Sequence, residues 1–282
     1  MPKTTQQMTI NCNGKLIDVS SPKIMGILNH TPDSFFDGGK YKTEKEMLLR
    51  TEKMLLEGAD FIDVGAYSSR PSAAFVTEEQ EIERLIFVLE ILAKHFPEIP
   101  ISIDTFRSEV ARISLENGAA IINDISAFSL DKKMLDVVAH YKVPYIMMHM
   151  KGTPQTMQQF TDYDNLTKDI FSYFSEKIAL AKAKGVNDLI VDVGFGFSKT
   201  LEQNYELLHN LDFFQQFGLP LLVGVSRKSM IYKALDITPT EALNGTTVIH
   251  TIALQKGANI LRVHDVKEAK ETVKLLQVFN AN

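Results

Sequence analysis

LLEGADFI, residues 55–62, joins the end of a helical pattern to an apolar stretch of strand length through a single glycine. Glycine supplies the left-handed conformation that closes a helix and turns the chain away. The same junction returns as SLENGAAII (114–122), AKAKGVNDLI (181–190), QQFGLPLL (215–222) and LQKGANIL (254–261). Working outward from these junctions, eight short apolar runs appear at 23–28, 61–64, 100–103, 120–122, 143–148, 188–193, 220–225 and 259–263. Between and after them, three-to-four-residue apolar spacing predicts helices at 43–57, 78–95, 107–117, 131–140, 164–184, 203–217, 240–256 and 265–279. Eight strand-helix units whose strands are apolar throughout predict a closed (β/α)8 barrel. An open doubly wound sheet is the alternative, but it leaves edge strands that should look less buried. Ahead of the barrel, MTINCNGKLIDVS carries two alternating pieces around Asn13-Gly14, a β-hairpin with a two-residue turn. The expected division is residues 1–21 as this hairpin, a lid or edge ornament, and 22–282 as the barrel domain.

The chain has 282 residues, 45% of them hydrophobic and 23% charged, which fits a folded globular protein. No apolar run is long enough to span a membrane, and MPKTTQQMTINCNGK lacks the apolar core of a secretory signal, so a cytoplasmic location is expected. Cys12 is the single cysteine and cannot form an internal disulfide. A net charge of -5 offers no global attraction to nucleic acid, so any anion must be bound by a local pocket.

In a barrel of this kind, the loops after the C-terminal ends of the strands build the active site. That rim is unusually polar. After the first run comes NHTPDSFFDGG (29–39), after the second DVGAYSSRPSA (63–73), with Asp63, Ser69 and Arg70. The third ends at Asp104, the fourth at Asn123 and Asp124, the fifth at Met148 and His149. The sixth gives Asp192, Phe197 and Lys199, the seventh Ser226, Arg227, Lys228 and Ser229, and the eighth Arg262, His264 and Asp265. Taken singly, each has a structural account: Asp104 could pair with Arg107, and His149 could be a satisfied core histidine. Their convergence on one rim needs a ligand, because buried polar groups are costly unless partnered. Asp104, Asn123 and Asp192 suit a planar, nitrogen-rich heterocycle, with Lys228 donating to a ring carbonyl and Met148 or Phe197 against a ring face. Arg262 and His264, with Asn29, Ser69 and Arg70, suit a phosphate or diphosphate. A hard cation such as Mg2+ would take one oxygen from Asn29 and the rest from water and phosphate. DVGFGFSKT lacks the spacing of a phosphate loop, Ser226 lacks the context of an esterase nucleophile, and no cluster has zinc-ligand spacing.

NHTPDSFFDGG, SSRPSA and GVSRKS, with IDT, IND, VDVGFGFSKT and RVHD in order among them, make residues 22–275 resemble the dihydropteroate synthases of folate biosynthesis. The resemblance implies a (β/α)8 enzyme joining 6-hydroxymethyl-7,8-dihydropterin diphosphate to 4-aminobenzoate, assisted by Mg2+ bound at Asn29. It assigns Asp104, Asn123, Met148, Asp192 and Lys228 to the pterin, and Asn29, Ser69, Arg70, Arg262 and His264 to the diphosphate. It assigns Phe35, Ser69, Pro71, Phe197, Lys228 and Ser229 to the aminobenzoate. Asp33, Asp37, Arg70, Asp104 and Lys228 are the expected catalytic set, acting without a side-chain nucleophile in a largely dissociative displacement. The resemblance further implies loops that order over the reaction centre, a homodimer, and competition by sulfonamides. Two departures stand out: GAYSSRPS puts Tyr67 and Ser69 where Glu and Thr are commoner, and DVG puts Val193 where proline is commoner. A pterin-binding methyltransferase barrel and a non-catalytic pterin-binding protein are the rival readings. Neither needs the loop arginine and the SRK and RVH groups together.

Overall fold

The computed structural model describes residues 8–29, 44–67 and 76–281. The hairpin is present as β1 (Thr9–Cys12) and β2 (Lys15–Asp18), with Cys12 opposite Lys15. Asn13 and Gly14 take φ of 51° and 86°, and positive φ at both central residues is what a two-residue type I′ turn requires.

Eight parallel strands follow: β3 (Lys23–Asn29), β4 (Phe61–Gly65), β5 (Ile101–Asp104), β6 (Ile121–Asp124), β7 (Tyr145–Met148), β8 (Leu189–Asp192), β9 (Leu221–Val223) and β10 (Ile260–Val263). Each pairs with its successor, and β10 also pairs with β3, which closes the barrel. The outer layer comprises α1 (Glu44–Leu56), α2 (Glu78–His95), α3 (Ser108–Glu116), α4 (Met134–Tyr141), α5 (Leu166–Ala183), α6 (Leu201–His209), α7 (Ser229–Leu235), α8 (Leu243–Gln255) and α9 (Val266–Asn280). All five junction glycines are left-handed: Gly58, Gly118, Gly185, Gly218 and Gly257 have φ of 99°, 97°, 87°, 62° and 91°.

Two helix expectations change. The stretch 203–217 is α6 followed by a separate 3-10 segment, Leu211–Phe217, because the chain turns out of α-helix at Asn210. The seven-residue α7 was not expected at all; it is too short to display a periodic apolar face.

The hairpin is neither a lid nor an edge ornament. Ile10, Cys12 and Val19 are buried against Met25, Phe61, Ile121, Ile146, Ile190, Leu222 and Ile260, residues near the N-terminal ends of the strands. It therefore stoppers the end of the barrel opposite the rim that carries the polar residues. Asn11 N–H donates to Asp188 Oδ2 at 2.9 Å and Asn259 Nδ2 to Val19 O at 2.9 Å, fastening the stopper to the chain around it.

Candidate active site

The apolar floor fixes what stands above it. Side chains on a strand alternate faces, so the residue two positions past an inward one also points inward. Phe61 is followed by Asp63, Ile121 by Asn123, Ile146 by Met148, Ile190 by Asp192 and Ile260 by Arg262. Met148, with Ile125, Met150, Met157 and the edges of Phe106 and Phe197, forms a small apolar cluster at the rim. Met147 faces the other way, into the helix-packing core, so Met148 is the strand methionine on the site.

Arg262 organises the centre. Its Nε donates to Asp63 Oδ2 at 2.6 Å and its Nη2 to Asp104 Oδ2 at 2.7 Å. Asn123 Nδ2 lies 3.3 Å from Asp63 Oδ2. Burial works against the Arg262 cation, but Asp63 and Asp104 outweigh it and hold its pKa above the ordinary arginine range. Burial raises the Asp104 carboxyl; Arg262 pulls it down, and Asp63 adds to the rise. Asp63, fully buried, was noted in the sequence without a role, yet it is the anchor of Arg262. A carboxylate two residues past Phe61 within an apolar strand was the signal that could have found it. The pairing of Asp104 with Arg107 does not occur. Arg107 instead bonds to the buried Glu81, which Thr105 Oγ1 also contacts at 2.7 Å.

The loop after β8 completes the pocket. Asp192 Oδ1 accepts from Gly194 N–H at 2.8 Å; burial raises its pKa, with Lys228 and Arg262 opposing. Lys228 reaches across from the loop after β9, donating to Phe195 O at 2.6 Å, with its ammonium 4.8 Å from the Phe197 ring centroid. Burial lowers the Lys228 pKa to about 8, against the pull of Asp192. Ser229 follows directly, as the first residue of α7. The motif Ser-Arg-Lys thus divides its work: Arg227, left-handed at φ 53°, is clamped by both oxygens of Asp265 at 2.7 and 3.0 Å and shapes the loop from which Lys228 enters.

His264 stands beside this centre, with Nδ1 3.1 Å from Ser226 Oγ, the same oxygen that lies 3.2 Å from its own backbone N–H. Burial, then the Arg262 charge, depress its pKa to about 3, which favours the neutral ring in the ligand-free site. Asn29 ends β3 opposite Gly65, where a Cβ would stand 3.2 Å from Asn29 Oδ1; glycine there makes room for the amide. Among the described residues no group of three or more His, Cys, Asp or Glu is arranged to hold an ion. Asn29 Oδ1 is a neutral oxygen of the kind a hard cation such as Mg2+ accepts.

Of the expected site residues, Asn29, Asp104, Asn123, Met148, Asp192, Phe197, Lys228, Ser229, Arg262 and His264 fall on the C-terminal rim or in its loops. Asp33, Phe35, Asp37, Ser69, Arg70 and Pro71 lie outside the described residues. At the departures, the Tyr67 ring meets Phe106 edge-on at 5.4 Å and its hydroxyl accepts from Gln155 Nε2 at 2.6 Å, while Val193 is fully buried.

A closed barrel with inward acids, an amide and two cations at its C-terminal rim defines a pterin-binding enzyme, and the family model described as pterin binding enzyme matches residues 25–264. The chain is 44% identical over 272 residues to the dihydropteroate synthase of Escherichia coli K12, covering 96% of each chain. It is also 44% identical over 255 residues to that of Synechocystis, covering 89% of this chain and 88% of the relative. Its fold superposes on the Yersinia pestis dihydropteroate synthase solved with a sulfonamide drug complex, with a TM-score of 0.93, 40% identity and coverage of 98% of this chain and 100% of that one. The Xanthomonas albilineans enzyme solved with 4-aminobenzoic acid gives a TM-score of 0.90 at 35% identity, with the same coverage. The chain belongs to the dihydropteroate synthase family, and so is a transferase of folate biosynthesis.

Proposed function

We propose that the chain joins 6-hydroxymethyl-7,8-dihydropterin diphosphate to 4-aminobenzoate, forming 7,8-dihydropteroate and releasing diphosphate. The observation that carries this reading is the inward ring of Asp104, Asn123, Asp192 and Lys228 around an Arg262 already paired with carboxylates. Such a ring offers acceptors to the N–H edge of a pterin and a donor to its carbonyl. The bond to be made replaces diphosphate at a methylene attached to an electron-rich ring, so the displacement is largely dissociative. Asp104 and Asp192 stabilise the positive charge that develops on the pterin methylene. Arg262, with Nε and Nη2 engaged by Asp63 and Asp104, would offer Nη1 to the leaving diphosphate, with His264 beside it as a second donor. Mg2+, held by Asn29 among the chain's own groups, would neutralise charge on the departing diphosphate. Phe197 and Ser229 line the aminobenzoate side, where sulfonamides would compete. Asp33, Phe35, Asp37, Ser69, Arg70 and Pro71 would cover the site, with Arg70 over the diphosphate.

A homodimer in the cytoplasm is part of the same reading. Leu275, Val278 and Phe279, 73%, 65% and 69% exposed, share one face of α9 and support self-association. No helix of the described residues is long and apolar enough to cross a membrane. The test is direct: purified chain, dihydropterin diphosphate, labelled aminobenzoate and Mg2+, with the product resolved by mass. Labelled dihydropteroate is expected; a methyl-transfer product, or pterin binding without turnover, would overturn the proposal.

A further inference from the structure

The lysine at the end of VDVGFGFSK has no place in the chemistry above, yet it is almost completely buried, at 4% exposure. The Lys199 ammonium has three donors and three acceptors within reach: Gly194 O at 2.9 Å, Phe197 O at 2.9 Å and His149 Nδ1 at 3.1 Å. Two of these are the ends of the turn that carries Phe197, and the third belongs to the residue following β7. A buried cation is costly, and aliphatic packing would fill the space without that cost. What aliphatic packing cannot do is hold two carbonyls and an imidazole at once.

We propose that Lys199 is a positioning residue for the aminobenzoate substrate: through the turn 194–197 it fixes the Phe197 ring against which that substrate lies, and it does so in its charged, three-donor form. The inference rests on the proposed synthase reaction. Among the described residues several groups hold the turn, Asp192 at Gly194 N–H and Gln158 at Gly196 O included, and Lys199 is the one side chain that bonds both end carbonyls of the turn. The turn's own backbone supplies Phe197 N–H to Gly194 O at 3.2 Å, Gly196 N–H reaches Asn204 Oδ1 at 2.7 Å, and Tyr163 Oη donates to Ser198 O at 2.8 Å just beyond it. Lys228 holds Phe195 O from the pocket side. Lys199 thus holds the two end carbonyls of the turn and Lys228 the Phe195 carbonyl between them, with the Lys228 ammonium 4.8 Å from the Phe197 ring centroid.

His149 is suited to its part. Burial, then the Lys199 charge, hold its pKa well below the ordinary value, so the neutral ring presents Nδ1 as an acceptor. The Tyr173 ring packs edge-on against it at 4.9 Å. The charged groups acting on Lys199 are Asp192 at the end of β8, Lys228 from the loop after β9, and Lys151 from the loop after β7. Burial dominates and brings the ammonium down to about 7, with Asp192 opposing and the two lysines assisting. Loss of a proton leaves two donors for three acceptors, so one of the three, a turn carbonyl or His149 Nδ1, gives up its bond and the grip on the turn loosens.

The experiment compares the full-length chain with Lys199→Met and Tyr163→Phe, measuring both KM values and kcat from pH 6 to 8.5. At pH 6, Lys199→Met is expected to raise the aminobenzoate KM about tenfold while the pterin diphosphate KM stays within twofold. The wild-type aminobenzoate KM should climb through pH 7 toward the variant's, which lacks that step and changes only where Lys228 titrates, near pH 8. Tyr163→Phe, which leaves no charge unpaired, should raise only the aminobenzoate KM, about threefold. Equal changes in both KM values, no change, or identical pH profiles in wild type and Lys199→Met would overturn the inference. Should Lys199→Met not melt cooperatively, the wild-type profile and Tyr163→Phe decide: a profile flat through pH 7 with an unchanged Tyr163→Phe KM overturns it. Failure of the wild type to make dihydropteroate would count against the proposed reaction instead, which keeps the two readings separable.

Discussion

Replacing Asp63 by Asn removes one negative charge from the centre of the site while conserving volume. Asp63 is fully buried and takes the Arg262 Nε bond at 2.6 Å; Arg262 keeps its second bond, Nη2 to Asp104 at 2.7 Å. A charge-assisted hydrogen bond contributes about 1.5–3 kcal/mol, and stripping a buried ion of its only partner costs about 3–5 kcal/mol. Because Asp104 remains, the smaller figure applies, so about 2–3 kcal/mol is expected. For a chain of this size roughly 2 °C accompanies each kcal/mol, so the melting temperature should fall by about 4–6 °C. Differential scanning calorimetry measures that part. The rest is kinetic: an Arg262 held by one carboxylate instead of two should raise the KM for dihydropterin diphosphate at least tenfold, about 1.4 kcal/mol. The Asp104 carboxyl gives a third readout. Asp63 helps push it up, so in Asp63→Asn its titration, followed by carbon NMR, should move to lower pH. A variant with wild-type melting, wild-type KM and an unmoved Asp104 would show that Asp63 only fills space.

Buried His250 on α8 has no partner for Nε2 among the described residues, and burial, opposed weakly by Asp265, depresses its pKa from 6.5 to about 4. The folded state thus favours the neutral ring, and the stability it contributes is present above pH 6.5 and lost as pH falls through 4. His250→Leu should therefore lose about 3 kcal/mol less than wild type between pH 7 and 4 in urea titrations, and parallel curves would refute this. Gly194, at φ 75°, would place a Cβ 2.1 Å from His149 O, so Gly194→Ala should lower kcat/KM at least a hundredfold, measured in the synthase assay. Ile10→Ala opens a cavity in the barrel floor and should cost about 2–5 kcal/mol in thermal unfolding while both KM values stay unchanged, since the floor lies at the far end from the rim.

The repeated glycine junctions made the barrel legible, because each fixes where a helix ends and a strand begins; all five glycines adopt the conformation that only glycine takes freely. What the sequence hid follows from the same physics. The seven residues of α7 span two turns, too few for a face to repeat, and the 3-10 segment after α6 keeps the apolar spacing while changing its hydrogen bonds. Within the site, Asp104, Asn123, Asp192 and Arg262 were legible as polar residues at strand ends. Their pairing was not, since a charge's partner depends on barrel closure: Arg262 on β10 meets Asp63 on β4 across β3. Arg107 illustrates the converse, being near Asp104 in sequence yet turned outward to Glu81 on α2.

Barrel closure also explains the electrostatics. Three carboxylates, Asp63, Asp104 and Asp192, face two cations, Arg262 and Lys228, in a region where burial raises Asp104 and Asp192 and lowers Lys228. Each of those shifts favours the neutral form of its group, so the pocket holds its charges at a cost. A neutral dihydropterin supplies N–H donors to the acids, and on the proposed dissociative displacement its methylene becomes cationic within their reach. The interaction is then stronger with the developing cation than with the ground state, and only such a difference lowers the barrier. Asp104→Asn separates this from simple binding. If Asp104 acts on the developing charge, kcat should fall by at least tenfold more than affinity for the product pterin; equal losses would mean that Asp104 only binds the ring.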